Sequence, residues 1–112
     1  MWKRIAILLA ACAASPAFAA GDVFIQVLGV AQDAGLPQTN CYRPHCLEAW
    51  KDPDKRRMAT SIAVIDRSAG RKYLFDATPD MREQLYALHE VAPDDEYELG
   101  GVFLTHAHMG HY

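Results

Sequence analysis

Between Asp22 and Val30, Val23, Ile25 and Val27 fall on one side of an extended segment and Phe24 and Leu28 on the other. Apolar residues on both sides predict a strand buried on both faces, ended by Gly29. Ala31 to Asn40 contains Gly35, Pro37 and Asn40, a loop composition, and Pro44 starts a short helix that runs through Trp50. Thr60 to Asp66 and Lys72 to Asp76 are two short apolar runs joined by Arg67-Ser68-Ala69-Gly70-Arg71. That pattern predicts a β-hairpin, with Gly70 supplying the tight connection.

A second helix follows. Thr78 caps it, Pro79 takes its first position, and Asp80 lies in its first turn, where a carboxylate complements the helix dipole. Met81, Leu85 and Leu88 recur at helical spacing and form a core-facing stripe. Val91 to Leu99 reads as an acidic, solvated connection, and Val102 to Leu104, after Gly100-Gly101, as a short apolar strand. The basic run Lys55-Arg56-Arg57 reads as a solvated face. No internal repeat or low-complexity segment interrupts the order. Strands and helices of this kind predict an α/β architecture.

The segment before Gly21 changes the picture of where the protein works. A basic start, Trp2-Lys3-Arg4, precedes the apolar run Ile5–Ala14, which is too short to span a bilayer. Ser15-Pro16 breaks it ahead of Ala17-Phe18-Ala19, so residues 1–19 read as a secretory signal cleaved after Ala19. This predicts a periplasmic or secreted protein. A rival processing site at Leu9-Ala10-Ala11-Cys12 would expose Cys12 for a lipid anchor. Cleavage after Ala19 removes Lys3 and Arg4 from the eleven basic residues and leaves nine against fourteen acidic ones, a balance of −5. Such a charge carries no nucleic-acid footprint, and no later apolar stretch is long enough to span a membrane. A small-molecule substrate is the expected partner, and nothing in the sequence sets the oligomeric state. Residues 20–112 stop directly after the most chemically loaded segment, so they read as the N-terminal part of a larger domain.

That loaded segment is His106-Ala107-His108-Met109-Gly110-His111, with three histidines in six residues just beyond an apolar strand. Residues two apart on an extended segment point the same way, so His106 and His108 can present both imidazoles to one ion. His111 can swing back to the same pocket if the chain turns near Gly110. Neutral imidazole suits zinc and also iron, manganese or nickel, so the spacing predicts a metal site, with zinc the first candidate, better than it predicts which metal.

Thr105-His106-Ala107-His108-Met109-Gly110-His111 after a strand resembles the His-x-His-x-Asp-His signature of the metallo-β-lactamase superfamily. The resemblance implies an αββα sandwich, with metals at the edge of its two sheets. It implies His106 and His108 as ligands of a first metal, completed by a histidine beyond Tyr112, and His111 at a second metal position. Asp76, at the end of the second hairpin strand, would hold the metal-binding loop; its other reading is a helix-start acid near Thr78. Gly110 stands where the family has an aspartate ligand of the second metal. Losing that hard oxygen and its negative charge predicts one well-held ion and a weak or empty second site.

Cys41 and Cys46 are five residues apart, and they leave open a small disulfide or a structural zinc with His45 as third ligand. The stretch from Gly35 to Cys41, then Cys46, Thr60 to Val64 and Asp76 to Arg82, is similar to the coenzyme PQQ biosynthesis protein B family, itself of the metallo-β-lactamase fold. That resemblance covers the chain from about Val27 to Tyr112. In that family a cysteine between the outer two helps hold a structural zinc. Here Arg43 occupies the place, which favours the disulfide.

Together these features imply an exported metal-dependent hydrolase in which metal-bound water attacks an ester, phosphoester or amide. Two other readings stand beside it: an iron-dependent oxidative enzyme of a biosynthetic kind, and a metal-binding domain that has lost catalysis with the aspartate. The superfamily's name describes a fold that hosts many reactions, so hydrolysis of β-lactams is not implied.

Overall fold

The computed structural model describes residues 21–32 and 34–112. The secretory signal expected at 1–19 and the alternative anchor at Cys12 lie outside them. The elements run β1 (Val23–Gly29), α1 (Pro44–Lys51), a single 3-10 turn at Pro53–Lys55, β2 (Ser61–Asp66), β3 (Arg71–Phe75), α2 (Met81–Val91) and β4 (Glu98–Phe103). The strands form one sheet in the order β1-β2-β3-β4. β1–β2 and β2–β3 are antiparallel, while β3 and β4 run parallel, with α2 as the crossover between them.

Strand alternation decides which side chains α2 covers. Ala63 and Ile65 on β2, Leu74 on β3 and Leu28 on β1 are buried and pack with Leu88 and Ala92. Phe24, Met81 and Leu85 close round this core, so the helical stripe packs as its spacing predicts. The other face is different from expectation. Val23, Ile25 and Val27 are each more than half exposed, so among the described residues β1 is buried on one side only. Ile62, Val64, Tyr73 and Phe75 continue that apolar face, and Phe75 stacks on Phe103 with ring centroids 5.3 Å apart. No helix among the described residues is long and apolar enough to cross a membrane.

Two boundaries also move. α2 starts at Met81, and Asp80 makes no side-chain cap. Its carboxylate instead accepts the Ala59 N–H at 2.7 Å, a tie to a distant loop that outweighs the helix-dipole role. Thr78 accepts the Asp80 N–H at 3.1 Å and donates to Gln84 at 2.7 Å. β4 begins at Glu98, inside the stretch expected to be solvated connection. The connection is confined to a turn in which Glu96 and Tyr97 N–H groups bond back to Pro93. Gly100 lies where the β3–β4 register slips, and a Cβ there would stand 2.5 Å from the Tyr73 ring, so the strand passes only as glycine.

The loop after β1 is stitched to the segment before β2. Leu36 and Arg57 exchange backbone hydrogen bonds at 2.7 and 3.0 Å, and Thr60 N–H reaches the Ala31 carbonyl at 2.8 Å. Asp80 and Gln84, at the start of α2, hold Ala59 from the other side. The loop that carries Ala34 is therefore held by residues 57–60, which Asp80 and Gln84 fix from the side of α2.

Candidate metal centre

Because β3 and β4 are parallel, their carboxyl ends lie side by side, the place where ligands gather in sheets of this kind. Asp76 comes directly after β3, and its N–H bonds to the Phe103 carbonyl at the end of β4 at 2.8 Å. Its backbone is left-handed, with φ 72°, a conformation that costs a non-glycine residue roughly 1–3 kcal/mol. The surrounding hydrogen bonds hold it there. Oδ1 accepts the Thr105 N–H at 2.8 Å, both carboxylate oxygens lie 2.9 Å from the Thr105 hydroxyl, and Oδ2 lies 3.0 Å from His111 Nδ1.

Asp76 and His111 are both buried. Burial alone would push the Asp76 carboxyl up. The Thr105 N–H, the Thr105 hydroxyl and His111 outweigh it and hold the group below its ordinary value, so it is ionised. These are the contacts of a residue that fastens the histidine loop; a helix-start acid would face α2 instead. The loop is closed further by His111 N–H on the His108 carbonyl at 2.9 Å and by Ala77 N–H on the His111 carbonyl at 3.0 Å.

His106 and His108 stand on the exposed rim above this buried pair. His106 Nε2 and His108 Nδ1 are 3.2 Å apart. Two imidazole nitrogens bound to one tetrahedral zinc at about 2.0–2.1 Å would be separated by roughly 3.3 Å, so the spacing of the pair matches that of two ligands of one ion. The His111 ring lies 4.3 Å from that of His106, centroid to centroid. Asp76, His106 and His111 also bring one ligand atom each within 4.8 Å of one another. Both Asp76 oxygens are already taken up by Thr105 and His111, so Asp76 ties the histidine loop in place.

Gly110 is buried, and its surroundings add to what the sequence implied. A Cβ there would lie 2.7 Å from the Ala34 backbone nitrogen and 3.3 Å from the Ala34 Cβ. The place of an aspartate side chain is thus filled by the loop after β1. An aspartate at position 110 would have no room for its carboxylate without a shift of that loop.

Cys41 and Cys46, at the start of α1, are joined by a disulfide with sulfurs 2.05 Å apart, and His45 Nε2 lies 4.0 Å from the Cys41 sulfur. These three residues also cluster closely enough to hold an ion, yet the bond between the sulfurs uses the thiolates that a zinc site needs. Two residues of the histidine site escaped the sequence reading. Thr105 had a visible signal, its place directly before the first histidine. Ala34 had none, since its contact with Gly110 is purely tertiary.

No protein-family model matches the chain. Coenzyme PQQ synthesis protein B of Methylobacterium sp. (strain 4-46) is 33% identical over 89 residues, 76% of this chain and 30% of that protein. The protein of the same name from Xanthomonas oryzae pv. oryzae (strain MAFF 311018) is 37% identical over 92 residues, 78% of this chain and 30% of its own length. The chain therefore spans about 30% of the length of these relatives. Among solved structures, Zn(2+)-bound PqqB from Methylobacterium extorquens matches with a TM-score of 0.59 and 30% identity over 78% of this chain and 33% of that one. A diphosphatase from the PhnP family matches with a TM-score of 0.54 and 32% identity over 80% of this chain and 31% of that one. The sheet with its crossover helix, the site at the strand ends and these relatives lead to one assignment: the chain has a metallo-β-lactamase-like fold and is similar to coenzyme PQQ synthesis protein B.

Proposed function

We propose that this is an exported, metal-dependent hydrolase that uses a single ion, zinc in the first place, held by His106 and His108. The observation that carries the reading is the 3.2 Å separation of His106 Nε2 and His108 Nδ1, which matches two ligands of one tetrahedral ion. An ion bound there would supply Lewis-acid chemistry, lowering the pKa of coordinated water to about 7 and polarising a substrate oxygen. The chain's own residues do the rest. Asp76 fixes the loop, His111 is locked against Asp76, and the filled Gly110 position keeps a second ion out. A cleft of about 330 Å³ lined by Gln38, Thr39, His108, Met109 and Gly110 opens beside the ligands and can take a small substrate. The cleft of about 370 Å³ between Trp50, Arg56 and Asp80 contains none of the three histidines.

Esters, phosphoesters and amides are the substrate classes, and the likeness to a diphosphatase puts phosphoesters and diphosphates first in the order of trial. In the test, the intact protein is stripped with a chelator, reloaded with zinc, and assayed on one panel of carboxylic esters, phosphodiesters and diphosphates. Hydrolysis lost on stripping, regained with zinc and absent in His106→Ala supports the proposal. Turnover that needs oxygen and iron would replace it with the oxidative reading of a biosynthetic kind, for which the likeness to PQQ synthesis proteins supplies the setting. Export is tested by fractionation: protein in the periplasm or medium, with residues 1–19 removed, is the expected result.

A further inference from the structure

The Thr105 hydroxyl is the only group that connects the buried carboxylate to the exposed ligand His106 among the contacts described. It lies 2.9 Å from each Asp76 oxygen and 2.8 Å from His106 Nδ1. A hydroxyl has one hydrogen to give, and an ionised carboxylate can only accept. The Thr105 hydrogen therefore goes to Asp76, and the hydroxyl oxygen is left to accept. The His106 Nδ1 beside it must then be the donor, which places the ring proton on Nδ1 and leaves Nε2 with a free lone pair.

His111 obeys the same logic without an intermediary. Its Nδ1 faces Asp76 Oδ2 at 3.0 Å and must donate, so its Nε2 is also unprotonated in the neutral ring. His108 has no such partner among the described contacts beyond His106 Nε2 itself, and it is exposed, so water can exchange its proton between the two nitrogens. One carboxylate thus sets two imidazoles, His111 directly and His106 through a side-chain hydroxyl.

We infer that Thr105 is a positioning residue: its hydroxyl passes the acceptor character of Asp76 to His106 and selects the tautomer that offers Nε2 to the metal. This rests on the metal reading above only in its last step, since the tautomer exists in the metal-free protein. A second consequence is that the hydroxyl, and not the bulk of the side chain, carries the role. Serine can replace threonine here and valine cannot, although valine keeps the shape and the Thr105 backbone N–H to Asp76 would remain in both.

The experiment compares wild type, Thr105→Ser and Thr105→Val in the intact protein. Nitrogen-15 chemical shifts and two-bond proton–nitrogen couplings report each histidine tautomer in the metal-free state, and competition with a chromophoric chelator reports zinc affinity. Expected is an Nδ1–H ring for His106 in wild type and Thr105→Ser, and a shift toward Nε2–H in Thr105→Val. Zinc affinity should fall roughly 10- to 100-fold in Thr105→Val and stay near wild type in Thr105→Ser. The inference is overturned if His106 in wild type is protonated on Nε2, or if Thr105→Val keeps both the Nδ1–H ring and the wild-type affinity. Should Thr105→Val fail to fold, the wild-type tautomer decides alone. A wild-type protein that binds no zinc would remove the proposed function, yet the tautomer measurement would still judge Thr105.

Discussion

Two aspartates serve the opposite ends of the parallel pair β3–β4. At the carboxyl end, Asp76 is buried and accepts hydrogen bonds from Thr105 and His111. At the amino end, Asp94 is exposed and ion-pairs with the buried Lys72, whose ammonium also reaches the Ala92 carbonyl at 2.6 Å. Both carboxylates tie a connection to the sheet. Only Asp76 does so beside the histidine cluster, through Thr105 and His111, and of the two it alone has a positive φ. The difference separates an anchor set among histidines from one that closes a crossover, although both satisfy a buried polar partner in the same way.

The sharpest way to break the comparison is Asp76→Ala. It strands the Thr105 N–H, the Thr105 hydroxyl and the buried His111 Nδ1 together, and it leaves alanine at φ 72°. The expected loss is about 3–5 kcal/mol in chemical unfolding, with zinc affinity down by more than about 100-fold. If zinc binding survives in the folded fraction at wild-type strength, Asp76 does not organise the ligands.

Gly110→Asp comes next. A simple loss of a ligand would be repaired by it, with a second ion per chain. The Ala34 contact predicts the opposite: roughly 1–3 kcal/mol of destabilisation from overpacking and no gain in bound metal. Two ions bound by a stable Gly110→Asp protein would show that the loop after β1 yields readily and that the closed position is not built in.

Cys41→Ser tests whether the other histidine-bearing cluster matters to the site. Opening so short a disulfide loop should cost about 2 kcal/mol, by the loop-closure argument, and leave the metal at His106 and His108 in place. Loss of that metal on opening the disulfide would join two clusters that the account keeps apart.

Asp94→Asn should have the smallest effect and leave metal content unchanged. The hydrogen bond from Lys72 holds the Asp94 carboxyl below its ordinary value of 3.8. Stability from a depressed carboxyl is fully present above the unfolded value and is lost as pH falls through the lower folded one. The gap in urea midpoint between wild type and Asp94→Asn should therefore be open at pH 7 and close below about pH 3.8. A gap independent of pH would mean that charge at Asp94 plays no part.

Much of the fold was legible because its signals are local. Short apolar runs mark β1, β2 and β3, Pro44 marks the start of α1, and Met81, Leu85 and Leu88 mark the buried side of α2. β4 was read too short because its first half carries acids and two glycines, and what makes Glu98 to Gly101 a strand is pairing to β3 across a bulge. Asp80 looked like a helix-dipole acid because its partner, the Ala59 N–H, is remote in sequence. Burial of Val23, Ile25 and Val27 was expected from their apolar character, yet nothing among the described residues covers that face.

The candidate site divides along the same line. The spacing of His106 and His108 is a local feature and predicts a pair of imidazoles on one side, as the 3.2 Å contact shows. The aspartate's missing side chain at Gly110 could also be read directly. That Ala34 fills the space, and that Thr105 stands between a carboxylate and an imidazole, are products of the parallel β3–β4 pairing and of the loop stitched to residues 57–60. A linear pattern does not contain them.

The central claim is one ion per chain, held by His106 and His108. It is tested most directly by metal analysis of the intact protein, purified without reductant, equilibrated with excess zinc and freed of loose ions. One zinc per wild-type chain is expected, and none when His106 and His108 are both alanine. Two ions per wild-type chain, or an ion that remains after both histidines are removed, would contradict it.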